Sequence, residues 1–123
     1  MPLERGAVYR ALIEVARRGG LGGTEWAEKY IVVLQDPGQM DAGATRYSYV
    51  IASTDRTGGR GLRAFEAQLG TADGFSRSTI VDGRWVYTEL REELAETDFC
   101  FTLSEQRMDE ISLAVFIGLQ LST

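Results

Sequence analysis

The chain has 123 residues, 44% of them hydrophobic and 25% charged, enough for one domain with its own core and the composition of neither a disordered nor a membrane protein. With no histidine and a single cysteine, it has no Ser-His-Asp or Cys-His nucleophilic system, no intrachain disulfide and no Cys/His zinc cluster. The net charge of −5 argues against nucleic acid as a partner of the chain taken whole, but residues 1–63 hold nine basic groups against seven acidic, and residues 64–123 four against eleven, which predicts a mildly basic face on an acidic body.

No apolar run approaches the roughly 18 residues of a bilayer span, and the first six residues lack the basic and apolar pattern of a signal peptide. A cytoplasmic protein with no membrane association is expected. From Gly6 to Ala16 the sequence alternates, with Ala7, Tyr9, Ala11, Ile13 and Val15 on one face and Val8, Arg10, Leu12 and Glu14 on the other, the period of a strand. Arg17 to Thr24 contains four glycines in eight residues, which makes a loop. Lys29 to Gln35 is a β-branched run suited to a buried central strand, closed by the turn signal Asp36-Pro37-Gly38.

Arg46 to Ser53 is a second such run. A glycine cluster at Thr57 to Gly61 separates it from Leu62 to Leu69, read as another strand, and Ser78 to Thr88 alternates again around Asp82-Gly83, a hairpin turn or bulge. Glu89 to Leu94 suggests a helical turn. Only the C-terminal part has helical period, with Met108, Ile111, Ala114 or Val115, and Leu119 at three- and four-residue steps behind Ser104 as N-cap. The expected fold is therefore a single mainly β (α+β) domain over residues 1–123, a small bent sheet or barrel with one helix packed on it.

Several short motifs, in order along nearly the whole chain, resemble the MazF/PemK-like family of toxin endoribonucleases. Arg5-Gly6-Ala7-Val8-Tyr9 is similar to the family's R-G-D-I-Y opening, Gly23-Thr24-Glu25 to a G-S-E loop, and Lys29-Tyr30-Ile31-Val32-Val33-Leu34-Gln35 to R-P-V-V-V-L-Q. Tyr49 to Thr54 matches the strand that ends on the family's functional threonine. Leu103-Ser104-Glu105-Gln106-Arg107-Met108 resembles the L-S-E-E-E-M start of the last helix. The resemblance implies an SH3-like barrel of about five to seven antiparallel strands with a C-terminal helix. It also implies metal-independent cleavage of single-stranded RNA through 2′-hydroxyl attack to a 2′,3′-cyclic phosphate, no cofactor, a cognate antitoxin as partner, and a homodimer that covers the apolar face of the C-terminal helix, with the barrel itself as the alternative cover for Ile111, Val115 and Leu119.

Carried over residue by residue, the resemblance makes Lys29 the catalytic cation and Thr54 the donor to the scissile phosphate, with Arg84 assisting. Lysine keeps the charge of the family's arginine without its planar fork, Tyr30 replaces the usual proline, and Asp82, Arg84 and Tyr87 stand at altered spacing where the family has Asp-Gln-x-Arg. RNA-binding candidates are Thr24, Trp26, Arg56, Arg60 and Arg63, with Arg17 and Arg18 from the other glycine-rich loop. Each has a plainer reading: a strand-end lysine caps a sheet edge, a threonine caps a turn, loop arginines solubilise, and tryptophans such as Trp26 and Trp85 fill a core or an interface. Cys100, between Phe99 and Phe101, reads as buried and inert. A competing reading is an inactive or gyrase-targeting, CcdB-like protein-binding member of the same fold.

Overall fold

The computed structural model describes residues 4–17, 22–34, 46–90 and 98–121. Seven strands, β1 (Ala7–Ala16), β2 (Thr24–Val33), β3 (Arg46–Thr54), β4 (Glu66–Leu69), β5 (Thr79–Asp82), β6 (Tyr87–Leu90) and β7 (Phe99–Thr102), precede one helix, α1 (Glu105–Leu121). The sheet is ordered β4-β5-β3-β2-β1-β7, with β6 also paired to β3, and every described pairing is antiparallel. The expected mainly β fold with a C-terminal helix is therefore present. The Asp36-Pro37-Gly38 turn, Arg18 and most of the Glu89 to Leu94 segment lie outside the described residues; Glu89 and Leu90 themselves belong to β6 rather than to a helical turn.

The β-branched run of β2 is buried as its sequence requires. Ile31, Val32 and Val33 are fully buried, and a strand apolar on both faces needs cover on both. Val32 joins Val8, Val50, Ala52, Val81, Met108 and Ile111 in one core, while Ile31 and Val33 join Ala7, Tyr9, Tyr47 and Tyr49 in a second on the opposite face. The alternation read in β1 divides it the same way. Tyr9 lies in the second core, and Arg10, Leu12 and Glu14 face solvent.

Two expectations need correction. Only Glu66–Leu69 of the Leu62 to Leu69 run is a strand, and Leu62 is exposed, because the glycines at 58, 59 and 61 take positive φ and keep the chain in a loop. Cys100 is exposed, on a strand, β7, that among the described residues pairs only with β1; its thiol donates to the Asp98 carbonyl at 3.5 Å, and partial burial pushes its pKa up.

Asp82-Gly83 is a bulge and not a hairpin turn. β5 and β6 both pair with β3, through Val81↔Ala52 and Tyr87↔Tyr49, so five residues, 82–86, stand opposite Val50 and Ile51 alone. Extra residues on one strand bend it sharply. The helix fits into that bend. Ser104 accepts from the Arg107 N–H at 3.2 Å as the N-cap, and Met108, Ile111, Ala114 and Gly118 face inward. A Cβ at Gly83 would lie 2.3 Å from the Ala114 carbonyl oxygen, and one at Gly118 would lie 2.5 Å from the Gly83 carbonyl carbon. Backbone meets backbone there, so only glycine fits. Gly83→Ala or Gly118→Ala should cost at least about 2 kcal/mol by overpacking, whereas Gly70→Ala, which has extended backbone and open space, should change stability by less than about 0.5 kcal/mol; denaturant midpoints compare the three.

Candidate active site

β1 and β2 pair along their whole lengths, from Val8↔Val32 to Ala16↔Thr24, but β2 and β3 pair only from Tyr30↔Ala52 to Val33↔Tyr49. Residues 24–29 therefore leave the sheet as a two-stranded ribbon with β1. Lys29 was expected at a strand start; it lies inside β2, at the first position beyond the parting. On the other side of the fork β3 runs on as Ser53 and Thr54, paired with Ile80 and Thr79 of β5.

The fork is hollow. Lys29, Tyr30, Ser53, Thr54, Arg77 and Thr79 are among the residues lining a cleft of about 320 Å³. Among the described residues the Lys29 ammonium, the Thr54 hydroxyl and the Arg77 guanidinium make no hydrogen bond or ion pair. Two free cations and a free hydroxyl in one cleft suit an anionic group such as a phosphate. Arg77 was missed in the sequence, where it is an isolated arginine in the Gly74-Phe75-Ser76-Arg77 loop; only its place two residues before a strand paired with the end of β3 brings it to Lys29.

Ser53 and Thr54 also line a second cleft, of about 330 Å³, with Ile51, Arg56, Arg60, Glu66, Asp82, Trp85 and Tyr87. Ile51 and Tyr87 continue into a third, of about 270 Å³, bounded by Leu12 and Trp26 of the ribbon. The three form a track that runs from cations to aromatics. Trp85 and Trp26, 58% and 65% exposed, are too open for core residues, and Tyr87 stacks on Tyr49 at 5.5 Å between centroids.

The other sequence-predicted residues are placed differently. Arg84 does not line the Lys29 cleft: its guanidinium grips Asp82 at 2.7 Å and lies 4.1 Å from the centre of the Phe65 ring. Arg60 lines the second cleft but is held by Glu66 through two hydrogen bonds, of 2.9 and 2.8 Å. Arg56 is exposed and unpaired among the described residues. Arg63 gives its backbone N–H to Glu66, the Arg17 N–H closes the ribbon onto the Gly23 carbonyl, and the Thr24 hydroxyl donates to Glu14 across the ribbon; none of these three lines the three clefts above. Among the described residues no three Asp, Glu, Cys or His side chains stand together as metal ligands.

Two solved structures share this architecture. An endoribonuclease in complex with its cognate antitoxin, from a mycobacterial species, superposes with a TM-score of 0.66 over 96% of this chain and 95% of its own, at 19% sequence identity. A second mycobacterial endoribonuclease gives 0.65 over 95% and 90%, at 18% identity. The chain has the fold of these endoribonucleases. No protein-family model and no curated protein matches it in sequence.

On this endoribonuclease fold, the loop after Thr54 is fixed by two carboxylates. Asp55 accepts from the Thr57 N–H at 2.9 Å and from the Ser78 hydroxyl at 3.0 Å, and the Thr57 bond, chiefly, holds its pKa below the ordinary value. Glu66, tied by Arg60 and by the Arg63 N–H, is lowered in the same direction, the Arg60 bond contributing most. A carboxyl lowered by folding stabilises above its unfolded pKa and loses that contribution as pH falls through the folded value. With ordinary values of 3.8 and 4.5, melting temperature should be level above about pH 5 and fall below about pH 4.5. Glu66→Gln should melt lower than wild type at pH 7 and show a shallower acid slope, read by thermal melts between pH 3 and 8.

Proposed function

We propose that this chain is a toxin-type endoribonuclease of the MazF/PemK-like kind, which cuts single-stranded RNA in the cytoplasm and is restrained by a cognate antitoxin. One observation carries the reading. Lys29 and Thr54, singled out by motif resemblance alone, line the same cleft. The likeness to endoribonucleases, one of them bound to its antitoxin, supports it at the level of fold.

In the proposed reaction the ribose 2′-oxygen attacks the adjacent phosphorus, the bond from phosphorus to the 5′-oxygen breaks, and a 2′,3′-cyclic phosphate and a 5′-hydroxyl remain. The 2′ proton passes to solvent, and the departing 5′-oxygen takes a proton from the Lys29 ammonium, which solvent restores. Thr54 donates to a non-bridging oxygen, and Arg77, in the position first assigned to Arg84, shares with Lys29 the charge that builds on the phosphorane. Lysine is suited to the proton step, since an arginine remains charged at any ordinary pH. No metal enters the scheme, so cleavage should persist in EDTA.

A homodimer forms part of the proposal. Ile111 is fully buried by the barrel and Val115 packs against the same core, so neither is free for a partner. Leu113, Phe116 and Leu119, at 60%, 63% and 45% exposure, leave an apolar strip facing outward. Light scattering should give about twice the 13.6 kDa chain mass, and Phe116→Glu should halve it.

Replacing Lys29 or Thr54 by Ala should slow cleavage of a long single-stranded RNA in EDTA at least about a hundredfold, the usual loss for one preorganised donor. Arg77→Ala should slow it by about tenfold or more, and Arg84→Ala by less than threefold, as expected for a residue outside the cleft. Wild-type protein that leaves such RNA intact would establish a binding protein on an endoribonuclease fold.

A further inference from the structure

Tyr30 lines the Lys29 cleft and has no part in the cleavage scheme above. It pairs with Ala52 as the last rung of the β2-β3 ladder. Residues directly opposite on antiparallel strands share a face, and Thr54, two residues beyond Ala52, lies on that face too. The phenol and the Thr54 hydroxyl therefore approach the fork from one face of the sheet as diagonal neighbours, which in a regular ladder stand about 7–8 Å apart. The ring is fixed. It meets Phe75 edge-on, 5.5 Å between centroids at 86°, and Phe75, itself buried, meets Phe101 in the same way at 4.9 Å. A ring gripped like this loses little freedom when its tip binds. The tip is unspent. Among the described residues the Tyr30 hydroxyl makes no hydrogen bond, and no side-chain oxygen or nitrogen is buried without a partner, so this hydroxyl meets solvent on the wall of the cleft.

We infer that Tyr30 is a further catalytic residue, whose hydroxyl donates to a non-bridging oxygen of the scissile phosphate beside the one that Thr54 serves. Its role rests on the nuclease reading above for what fills the cleft. A hydroxyl can donate or accept, but ionised phosphate oxygens only accept, so a hydroxyl that faces them serves as a donor. The phosphorane spreads its growing charge over two non-bridging oxygens, and Thr54 has one proton to give. The phenol supplies the second neutral donor and keeps its proton throughout, so the proton steps of the scheme stand. This group is the chain's own: the family that the Lys29 to Gln35 motif resembles usually has proline at the position of Tyr30, and a proline side chain has nothing to donate.

Tyr30→Phe removes the hydroxyl alone, keeps the ring against Phe75 and should leave the melting temperature unchanged. On a single-stranded RNA in EDTA it should lower kcat/KM at least about tenfold, with the larger part of the loss in kcat. Stereopure phosphorothioate RNAs, all-Rp or all-Sp, put a poorly accepting sulfur at one non-bridging position of every linkage. Where sulfur replaces the oxygen that Tyr30 serves, wild type should be slow and Tyr30→Phe no slower; with the other diastereomer the gap between them should persist. Thr54→Val should show the opposite dependence. A ring that only packs gives no such dependence on handedness. Binding is read without cleavage, by fluorescein anisotropy with 2′-O-methyl hexanucleotides, which lack the attacking hydroxyl. Tyr30→Phe should bind the phosphodiester hexamer at least about threefold more weakly than wild type, and the gap should close for one phosphorothioate diastereomer. Cleavage by Tyr30→Phe at the wild-type rate, or a deficit equal for both diastereomers, overturns the inference. A wild-type protein that cuts no RNA loses the nuclease reading, and anisotropy then decides on Tyr30: a gap that closes for one diastereomer upholds its hydroxyl as a phosphate ligand, and no gap overturns it.

Discussion

The parting of β2 from β3 after the Tyr30↔Ala52 pair is the constraint from which the site follows. Two strands that separate leave a wedge between them, and whatever stands immediately beyond the last pair faces it from both sides. Here those residues are Lys29 and Ser53-Thr54. The cause lies in composition, because Ile31, Val32 and Val33 are buried on both faces, whereas Thr24, Glu25, Trp26, Glu28 and Lys29 carry groups that cannot be buried on both. Pairing ends where two-sided burial ends. Among the described residues, 24–29 pair with β1 alone, and the wedge stays open.

The second wall depends on the bulge at residues 82–86 and on the helix seated against it. A continuous β5-β6 strand would lie flat along β3 and place Trp85 in the ladder. The five-against-two mismatch swings this segment outward, and the contact of Gly83 with Ala114 and Gly118 sets how far it swings. Arg84 contributes by holding Asp82 and lying on Phe65, which steadies the bulge that presents Trp85. The residue that the sequence reading offered as an assisting cation is thus engaged with Asp82 and Phe65, on the wall that carries Trp85.

What the sequence made legible follows from where local signals suffice. The run from Ile31 to Val33, the alternation of β1 and the Ser104 cap with its helical period each depend on neighbours in the chain, and each is present as read. Lys29 and Thr54 were reachable through motif order, yet no local pattern could say that they share a cleft. Arg77 had no signal at all, since its relevance comes from the β3-β5 register. The ribbon half of β2 was invisible because charged residues after a glycine-rich loop look like more loop, and its order comes from the facing strand. Gly83 and Gly118 looked like a turn and a helix end; their contact is a tertiary fact spanning 35 positions of the sequence.

The acidic composition, which taken alone argues against a polyanionic partner, is answered by how the charges pair. Arg5 meets Asp109, Arg10 meets Glu28, Arg60 meets Glu66, Arg84 meets Asp82, and Arg107 meets Asp73 and Glu110. These pairs consume cations over the body of the molecule. Lys29, Arg56 and Arg77 are unpaired among the described residues, and all three line the connected clefts. An incoming phosphate responds to the nearest charges, because at physiological ionic strength fields decay over about 8 Å, and net charge summed over the whole chain has little weight at that range. Pairing, more than composition, decides which surface is positive. Among the described side chains five cations carry no ion pair, Arg17, Lys29, Arg56, Arg63 and Arg77, and three of them line the clefts at the fork between β2 and β3.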